Sequence, residues 1–231
     1  MKAIIFAAGL GTRLSPWTNN KPKALVEYQN IPLLQHVILK LKKHGFDDII
    51  INIHHFADQI ENFIKKNNNF GIKITFSDER NLLLDTGGGL KKAEHFFNDN
   101  KPFLAYNVDI ISDIDLNDFY NYHIENKALI TLAVKNRETS RQLLFDENKN
   151  LCQWKNVITN QIKNARTPVG KLKPFAFSGL HIISSQIFEK ITEKGIFSII
   201  DIYLRIAQTE NIIYYNHNHS SWKDMGRKSE Y

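Results

Sequence analysis

The chain has 231 residues, of which 42% are hydrophobic and 23% charged, with 11 glycines and 6 prolines. These proportions are ordinary for a globular protein and exclude a fibrous or disordered chain. The formal net charge of +6 suits strongly anionic ligands, and the single cysteine, Cys152, excludes an intramolecular disulfide bond.

The first half of the chain alternates short apolar runs with amphipathic stretches, which is typical of βαβ units and a mainly parallel sheet. A long loop from Gly9 to about Asn30 separates the first strand from the first helix. In chain order the pattern predicts strand Lys2–Ala8, helix Leu33–Leu41, strand Asp48–His54, helix Ala57–Lys66, strand Ile72–Ser77, helix Gly89–Phe97 and strand Pro102–Asn107.

Beyond Asp109 the pattern is looser. It predicts long strands at Leu129–Lys135 and Phe175–Ile183, a helix at Phe197–Ala207 and a strand at Ile212–Tyr215. The polar residues 146–173 predict an insertion, either a substrate-facing flap or a surface loop without a role. No linker or repeat divides the chain, so we expect one domain over residues 1–231, an α/β fold of three layers (α/β/α), Rossmann-like, around a mixed, mainly parallel sheet.

Three features bear on location and partners. The apolar stretch after Lys2 is interrupted too early for a signal peptide or a membrane span, so we expect a soluble cytoplasmic protein without a membrane partner. Cys152 lies in an apolar setting, which favours a buried, non-catalytic side chain. Many lysines fall near predicted helix C-termini and aromatic residues are not interleaved with them, which argues against nucleic-acid binding.

The loop after the first strand begins Gly9-Leu10-Gly11-Thr12-Arg13. Glycines at such a turn let backbone N–H groups approach phosphate oxygens without a Cβ in the way. No Lys-Ser/Thr pair follows, which excludes a P-loop, and there is neither a third glycine nor an acidic residue after the second strand, which excludes a dinucleotide site. Arg13 and Lys23 add two cations, so the segment predicts a triphosphate cradle; the alternative is a glycine turn with solvated cations.

The segment Gly9–Leu25, GLGTRLSPWTNNKPKAL, matches the pattern G-x-G-T-R-L-x-P-x-T-x-x-x-P-K-x-L at every fixed position. It resembles the signature of the sugar-1-phosphate nucleotidylyltransferases. The resemblance implies a GT-A-like nucleotidyltransferase fold, with a nucleotide-binding half at 1–110 and a sugar-phosphate-binding half at 111–231. It also implies a nucleoside triphosphate and a sugar 1-phosphate as substrates, with pyrophosphate released. The oligomeric state does not follow from it.

Two further segments are similar to elements of the same family. Asn107-Val108-Asp109 resembles its N-x-D element, and Trp222-Lys223-Asp224-Met225-Gly226 resembles its W-x-D-[IV]-G element. By this resemblance Asp109 and Asp224 hold Mg²⁺, and the catalytic residues are Arg13, Lys23, Asp109 and Asp224. Lys23 would bind phosphate at the reacting centre.

Leu84-Asp85-Thr86-Gly87-Gly88-Gly89 resembles the L-E-T-G-G-G stretch of N-acetylmuramate 1-phosphate uridylyltransferases, which favours transfer of UMP to N-acetylmuramate 1-phosphate and a role in cell-wall synthesis. Physically, glycines before a helix let a base or sugar lie against the backbone; close packing of helix on sheet is the alternative. The residues expected to bind the nucleotide are Ala7, Ala8, Gly9, Gly11, Thr12, Arg13, Lys23, Thr86, Gly87, Gly88 and Asn107. Those expected to bind the sugar are Gly89, Asn107, Ser178, Gly179 and Trp222.

The chain departs from the family in two places. Gly226 is followed by Arg227-Lys228-Ser229 where the family usually continues T-P-E, and the Glu-Lys-Pro element that binds the sugar is missing, Gln153-Trp154-Lys155 being the nearest cluster. The alternatives therefore include a guanylyl-, thymidylyl- or cytidylyltransferase acting on another sugar phosphate or on phosphocholine. A catalytically silent regulatory domain of the same fold is another alternative.

Overall fold

A ten-stranded sheet runs through the computed structural model, which describes residues 1–231. Its order is β11-β10-β9-β12-β6-β1-β4-β5, and β8 joins β12 to β13. Two small pairs, β2–β3 and β7–β14, lie outside it. The strands are β1 Lys2–Phe6, β2 Glu27–Tyr28, β3 Ile31–Pro32, β4 Asp48–Ile53, β5 Lys73–Asp78, β6 Phe103–Asn107, β7 Ile110–Ser112, β8 Ile130–Lys135, β9 Arg141–Phe145, β10 Leu151–Asn156, β11 Ile162–Asn164, β12 Lys173–Ile183, β13 Ile212–Asn216 and β14 Trp222–Asp224.

Helices cover both faces of the sheet and form the predicted three layers. Successive strand residues point to opposite faces, so in β1 Ala3 and Ile5 join one apolar core while Ile4 and Phe6 join the other. The first core is covered by α1, α2 and α4, and the second by α3, α5 and α6. The helices are α1 Leu33–Lys43, α2 Ala57–Lys66, α3 Asp85–Lys92, α4 Leu116–Glu125, α5 Ile187–Lys190 and α6 Ile199–Ile206.

Strand order creates a crevice at one edge of the sheet. β6, β1, β4 and β5 are parallel neighbours in that order, so the chain first builds outward from β1 to β5 and then returns to the other side of β1. In open α/β sheets a ligand crevice forms outside the carboxyl ends of strands where the order reverses. The Gly9 loop after β1 and the segment Asn107–Asp109 after β6 therefore lie side by side.

The structure corrects two sequence predictions and adds a helix that was not predicted. The helix expected at Gly89–Phe97 begins earlier, at Asp85, so the three glycines lie inside it. Residues 146–173 are not wholly a loop, because β10 and β11 extend the antiparallel part of the sheet there. Helix α4 was not predicted, although Asp115 caps it by accepting hydrogen bonds from the amides of Asn117 and Asp118.

Two further features are the burial of Cys152 and the lengths of the helices. Cys152 is a fully buried free cysteine, as expected, and burial raises the pKa of its thiol to about 11. A thiol this reluctant to ionise is a poor nucleophile. None of the helices has the length and apolar character needed to cross a bilayer.

Candidate active site

The glycine loop after β1 leaves its backbone donors free. The N–H groups of Gly9, Leu10 and Gly11 have no hydrogen-bond partner in the chain. Gly11 adopts a left-handed φ of 69°, and a Cβ there would lie 2.9 Å from Cβ of Lys23 and 3.0 Å from Cγ2 of Thr18. Only glycine combines that conformation with that approach. Adjacent free amides on a left-handed turn form a concave anion-binding surface, and Thr12 and Arg13 follow in the next turn.

The amides of Ala7 and Ala8, which were predicted to contact the nucleotide, are already occupied. Both donate to Oδ1 of Asn52, at 2.6 and 3.2 Å, and Nδ2 of Asn52 donates to Oε1 of Glu79 at 2.9 Å. The other oxygen of Glu79 accepts from the amide of Leu84 at 3.1 Å. Burial raises the pKa of Glu79 in spite of these bonds. Ala7 and Ala8 thus anchor the loop to the start of α3 and offer no free donors.

Four charged side chains meet beside this loop. Nζ of Lys23 lies 2.7 Å from Oδ2 of Asp109, and both side chains are largely buried. A Cβ placed on Gly226 would be 2.6 Å from Oδ2 of Asp109, 2.9 Å from Nη2 of Arg13 and 2.9 Å from Oδ1 of Asp224. Gly226 therefore occupies the point where these three side chains converge. The four predicted catalytic residues form one cluster.

A short antiparallel pair brings the C-terminal motif to Asp109. In the β7–β14 pair Asp224 lies opposite Ile110, and the amide of Met225 donates to the carbonyl oxygen of Asp109 at 2.8 Å. The carboxylate of Asp224 accepts from the amide of Gly226 at 3.0 Å and from Nε of Arg227 at 3.1 Å. This pairing is how residues 115 positions apart in sequence come to share one site.

A cavity of about 820 Å³ opens on this cluster. It is lined by the glycine loop, by Arg13 and Lys23, and by a mixed set of apolar and polar side chains. That volume is within the range of a site for a nucleotide-sized ligand. The lining residues are Phe6, Ala8, Gly9, Leu10, Arg13, Lys23, Asn52, His54, Asn81, Leu82, Leu83, Asp85, Thr86, Asn107, Asp109 and Ile196.

The three glycines of α3 serve close packing. The amides of Gly87 and Gly88 donate to the carbonyl oxygen of Phe197, at 3.0 and 3.3 Å. A Cβ on Gly87 would lie 2.4 Å from the ring of Phe197, and one on Gly89 would lie 2.8 Å from Oε1 of Glu79. The structure does not leave these amides free for a nucleotide, nor Gly89 open to a sugar. The hydroxyl of Thr86 lines the cavity edge and accepts from the amide of Ile199 at 3.2 Å.

Replacing Gly88 by alanine should destabilise the protein, although this change in a helix interior usually stabilises it by about 1 kcal/mol. The added Cβ would lie 2.4 Å from the carbonyl oxygen of Gly195, a backbone atom that cannot rotate away. We expect the free energy of unfolding to fall by about 2 kcal/mol, measured by urea denaturation. Gly9→Ala is the matched control, because its Cβ would approach Nζ of Lys23 no closer than 3.8 Å. Unchanged stability of Gly88→Ala would contradict the packing role.

The residues predicted to bind the sugar include two pairs that lie together in the structure, Asn107 with Gly179 and Ser178 with Trp222. Asn107 lies against Gly179. Gly179 has a φ of 79° and lies where the register between β12 and β8 shifts, and its Cα approaches the side chain of Asn107. Ser178 is fully buried, with its hydroxyl 2.7 Å from Nε2 of His217 and its carbonyl oxygen accepting from Nε1 of Trp222 at 2.9 Å. Burial lowers the pKa of His217 to about 4. Ser178 therefore fixes Trp222 and has no surface left for a ligand.

Sequence reasoning missed the Asn52–Glu79 pair and the role of Gly226 as the point of convergence. A signal for Asn52 was present, since a polar residue within the apolar run of β4 is an exception that needs a buried partner. Glu79 carried no such signal, because it follows a strand where polar residues are common. The packing around Gly226 depends on segments far apart in sequence.

The comparisons with known proteins agree with this geometry. A part of the chain is 40% identical over 111 residues to N-acetylmuramate alpha-1-phosphate uridylyltransferase of Caulobacter vibrioides, covering 47% of this chain and 46% of that protein. Another match is 35% identical over 146 residues to UTP–glucose-1-phosphate uridylyltransferase of Synechocystis sp., covering 58% and 37%. The whole chain is 28% identical to mannose-1-phosphate guanyltransferase beta-A of Xenopus laevis, covering 62% of it. The matches thus span less than two thirds of each of these relatives.

Solved structures share the fold. HddC from Yersinia pseudotuberculosis, complexed with GMP-PN, superposes with a TM-score of 0.77 at 22% identity, covering 99% of this chain and 95% of that one. UDP-glucose pyrophosphorylase from Acinetobacter baumanii superposes with a TM-score of 0.77 at 16% identity, covering 99% and 90%. The family model described as Nucleotidyl transferase matches residues 2–231. The chain, with its free-amide loop and converged aspartates, therefore belongs to the nucleotidyl transferase family.

Proposed function

We propose that the chain is a magnesium-dependent sugar-1-phosphate nucleotidylyltransferase. It transfers UMP from UTP to a sugar 1-phosphate, with N-acetylmuramate 1-phosphate as the first candidate, and releases pyrophosphate. The observation that carries this proposal is the convergence of Arg13, Lys23, Asp109 and Asp224 beside a loop with free backbone amides. Such a site neutralises and orients phosphates.

The reaction needs little from the protein beyond binding and charge. A phosphate oxygen of the sugar 1-phosphate attacks the α-phosphorus of the triphosphate, and the bond from that phosphorus to pyrophosphate breaks. The attacking phosphate is already largely ionised near neutral pH, so positioning and electrostatic stabilisation supply the acceleration. The amides of Gly9 to Gly11 and the guanidinium of Arg13 bind the triphosphate. Lys23, held by Asp109, stabilises negative charge at the reacting phosphate.

The carboxylates of Asp109 and Asp224 fit a magnesium site. Both are oxygen donors, both approach the Cβ position of Gly226 within 3 Å, and protein side chains supply no third carboxylate there. Mg²⁺ is commonly bound through one or two carboxylates together with substrate phosphates. When bound, the ion would neutralise phosphate charge and polarise the reacting phosphorus. Lys23 and Arg227 meanwhile hold the two carboxylates in place by ion pairs.

Two observations bear on the substrates. The 40% identity to an N-acetylmuramate alpha-1-phosphate uridylyltransferase and the Asp85-Thr86-Gly87 stretch support UMP and that sugar. The match of the whole chain to a mannose-1-phosphate guanyltransferase favours GMP as the second candidate. A pocket that makes only apolar contacts discriminates weakly between similar substrates. A pocket whose hydrogen-bonding groups are left unpaired by the wrong base discriminates strongly. Turnover measurements therefore discriminate the two candidates.

The test is a pyrophosphate-release screen of purified protein. Five nucleoside triphosphates, those of U, G, T, C and A, are each paired with a panel of sugar 1-phosphates and with phosphocholine, with and without Mg²⁺. We expect release with UTP and N-acetylmuramate 1-phosphate that stops when EDTA removes the metal. Release with another pair would replace the proposed substrates by that pair. Release that continues in the presence of EDTA would contradict the proposed dependence on Mg²⁺. No release with any pair would favour a regulatory domain.

A further inference from the structure

Arg137 is a half-buried cation that none of the motifs includes. It follows β8 by two residues, and its Cζ lies 4.0 Å from the centroid of the Trp222 ring. Trp222 is itself fixed through the hydrogen bond from its indole nitrogen to Ser178. Stacking on an indole face stabilises and orients a guanidinium. Arg137 is thus held in one orientation beside the C-terminal motif.

Two other cations in this region, Lys23 and Arg227, are paired with carboxylates, and Arg137 is not. Lys23 lies 2.7 Å from Asp109 and Arg227 lies 3.1 Å from Asp224, whereas no carboxylate oxygen lies within 4.0 Å of the Arg137 guanidinium. Two of its five N–H groups donate to backbone carbonyls, and its Nε is buried without a partner. Withdrawing a cation from water without a counter-ion is costly, and such groups are normally paired. The missing counter-ion is best supplied by a ligand.

Arg137 lies over Trp222, which shares the short strand β14 with Asp224. Trp222 and Asp224 are two residues apart on β14, so their side chains project from the same face of that strand. Burial and the charge of Arg227 lower the pKa of Arg137, and the charge of Asp224 opposes them. Arg137 therefore shares its surroundings with one of the two central carboxylates. It lies in the second half of the chain, two residues after β8.

We propose that Arg137 binds an oxyanion of the acceptor substrate, with its planar guanidinium fixed on Trp222 and its unpaired N–H groups turned to that ligand. The proposal rests on the proposed function, since the acceptor is a sugar 1-phosphate. The oxyanion is either the phosphate itself or a carboxylate carried by the sugar. Arg137 takes over a task for which this chain has no Glu-Lys-Pro element.

The test compares steady-state kinetics of the wild type with Arg137→Gln and Arg137→Lys. We expect KM for the sugar 1-phosphate to rise about 10- to 100-fold in Arg137→Gln, as for loss of a charge-assisted hydrogen bond, while KM for the nucleoside triphosphate stays within about twofold. Arg137→Lys should recover only part of the loss, because it lacks the planar fork. Arg205→Gln is the matched control, since that arginine pairs with Glu193 on the surface of α6.

Two acceptors identify the oxyanion. N-acetylmuramate 1-phosphate carries a carboxylate and N-acetylglucosamine 1-phosphate does not, so an equal rise in KM for both assigns Arg137 to the phosphate, and a rise for the first alone assigns it to the carboxylate. Equal rises in KM for nucleotide and sugar, or unchanged KM for both, would overturn the proposal. If the wild type turns over no pair, calorimetric titration with N-acetylmuramate 1-phosphate, which carries both oxyanions, decides: weaker binding by Arg137→Gln supports the site independently, and equal or undetectable binding rejects it.

Discussion

Asp109→Asn should lower pyrophosphate release by about a thousandfold or more while the fold is retained. The asparagine keeps the shape of the side chain but removes the negative charge that faces Lys23 at 2.7 Å and converges with Asp224. An amide is a poor ligand for a hard divalent cation, and electrostatic groups at a phosphoryl centre each contribute several kcal/mol. Asp224→Asn should show a comparable loss, because the two carboxylates act on the same point.

The measurements separate chemistry from folding. Release is followed at saturating substrates over a range of Mg²⁺ concentrations, and circular dichroism with thermal unfolding monitors structure. Asp58→Asn is the matched control, because that aspartate is exposed on α2 and contacts only Arg80. Wild-type release by folded Asp109→Asn would exclude its role as a metal ligand. A loss caused by unfolding would appear as a lowered thermal midpoint.

The sequence was most informative where local pattern and burial coincide. Strands β1, β4 and β6 are largely apolar, with Asn52 the polar exception inside β4, and α1 and α2 carry apolar residues at helical spacing, so the parallel half of the sheet was predicted nearly to the residue. Helix α4 was missed because its buried face includes His123 and alternates with aromatic and polar residues. Strand β10 was missed because an asparagine-rich setting hid the buried Leu151 and Cys152.

The site was predictable only in part from its residues. The Gly9 loop indicated a phosphate cradle through local backbone chemistry, and the structure leaves its amides free. The meeting of Asp109 with Asp224 came from family resemblance, since no spacing rule connects residues joined through the β7–β14 pair. For the glycines of α3 the sequence favoured ligand contact over close packing, because Gly195 and Phe197, which pack against Gly88 and Gly87, lie far away in the chain. Such tertiary packing is not encoded in any local window of sequence.

The packing around Gly226 leads to the second large effect: Gly226→Ala should reduce turnover at least about a hundredfold with little loss of stability. Gly226 does not need a left-handed φ, so the backbone tolerates alanine. The new methyl group would instead meet Asp109, Arg13 and Asp224 at 2.6 to 2.9 Å and push these side chains apart. Displacement of reacting groups by about 1 Å can cost a hundredfold in rate.

Side chains of increasing size at Gly226 test whether the loss of turnover follows the added volume at this position. A control further along the C-terminal segment tests whether any substitution there has the same effect. Gly226→Val should be less active than Gly226→Ala, because its added volume displaces the same three side chains further. Ser229→Ala, three residues along on the exposed tail, is the control and should retain wild-type kcat. Since the added Cβ meets the ends of side chains and not backbone atoms, the urea midpoint of Gly226→Ala should shift little. Turnover of Gly226→Ala within a factor of about two of the wild type would mean that the three charged groups need not converge at this point for catalysis, because a methyl group at the centre of the cluster cannot leave their separations unchanged.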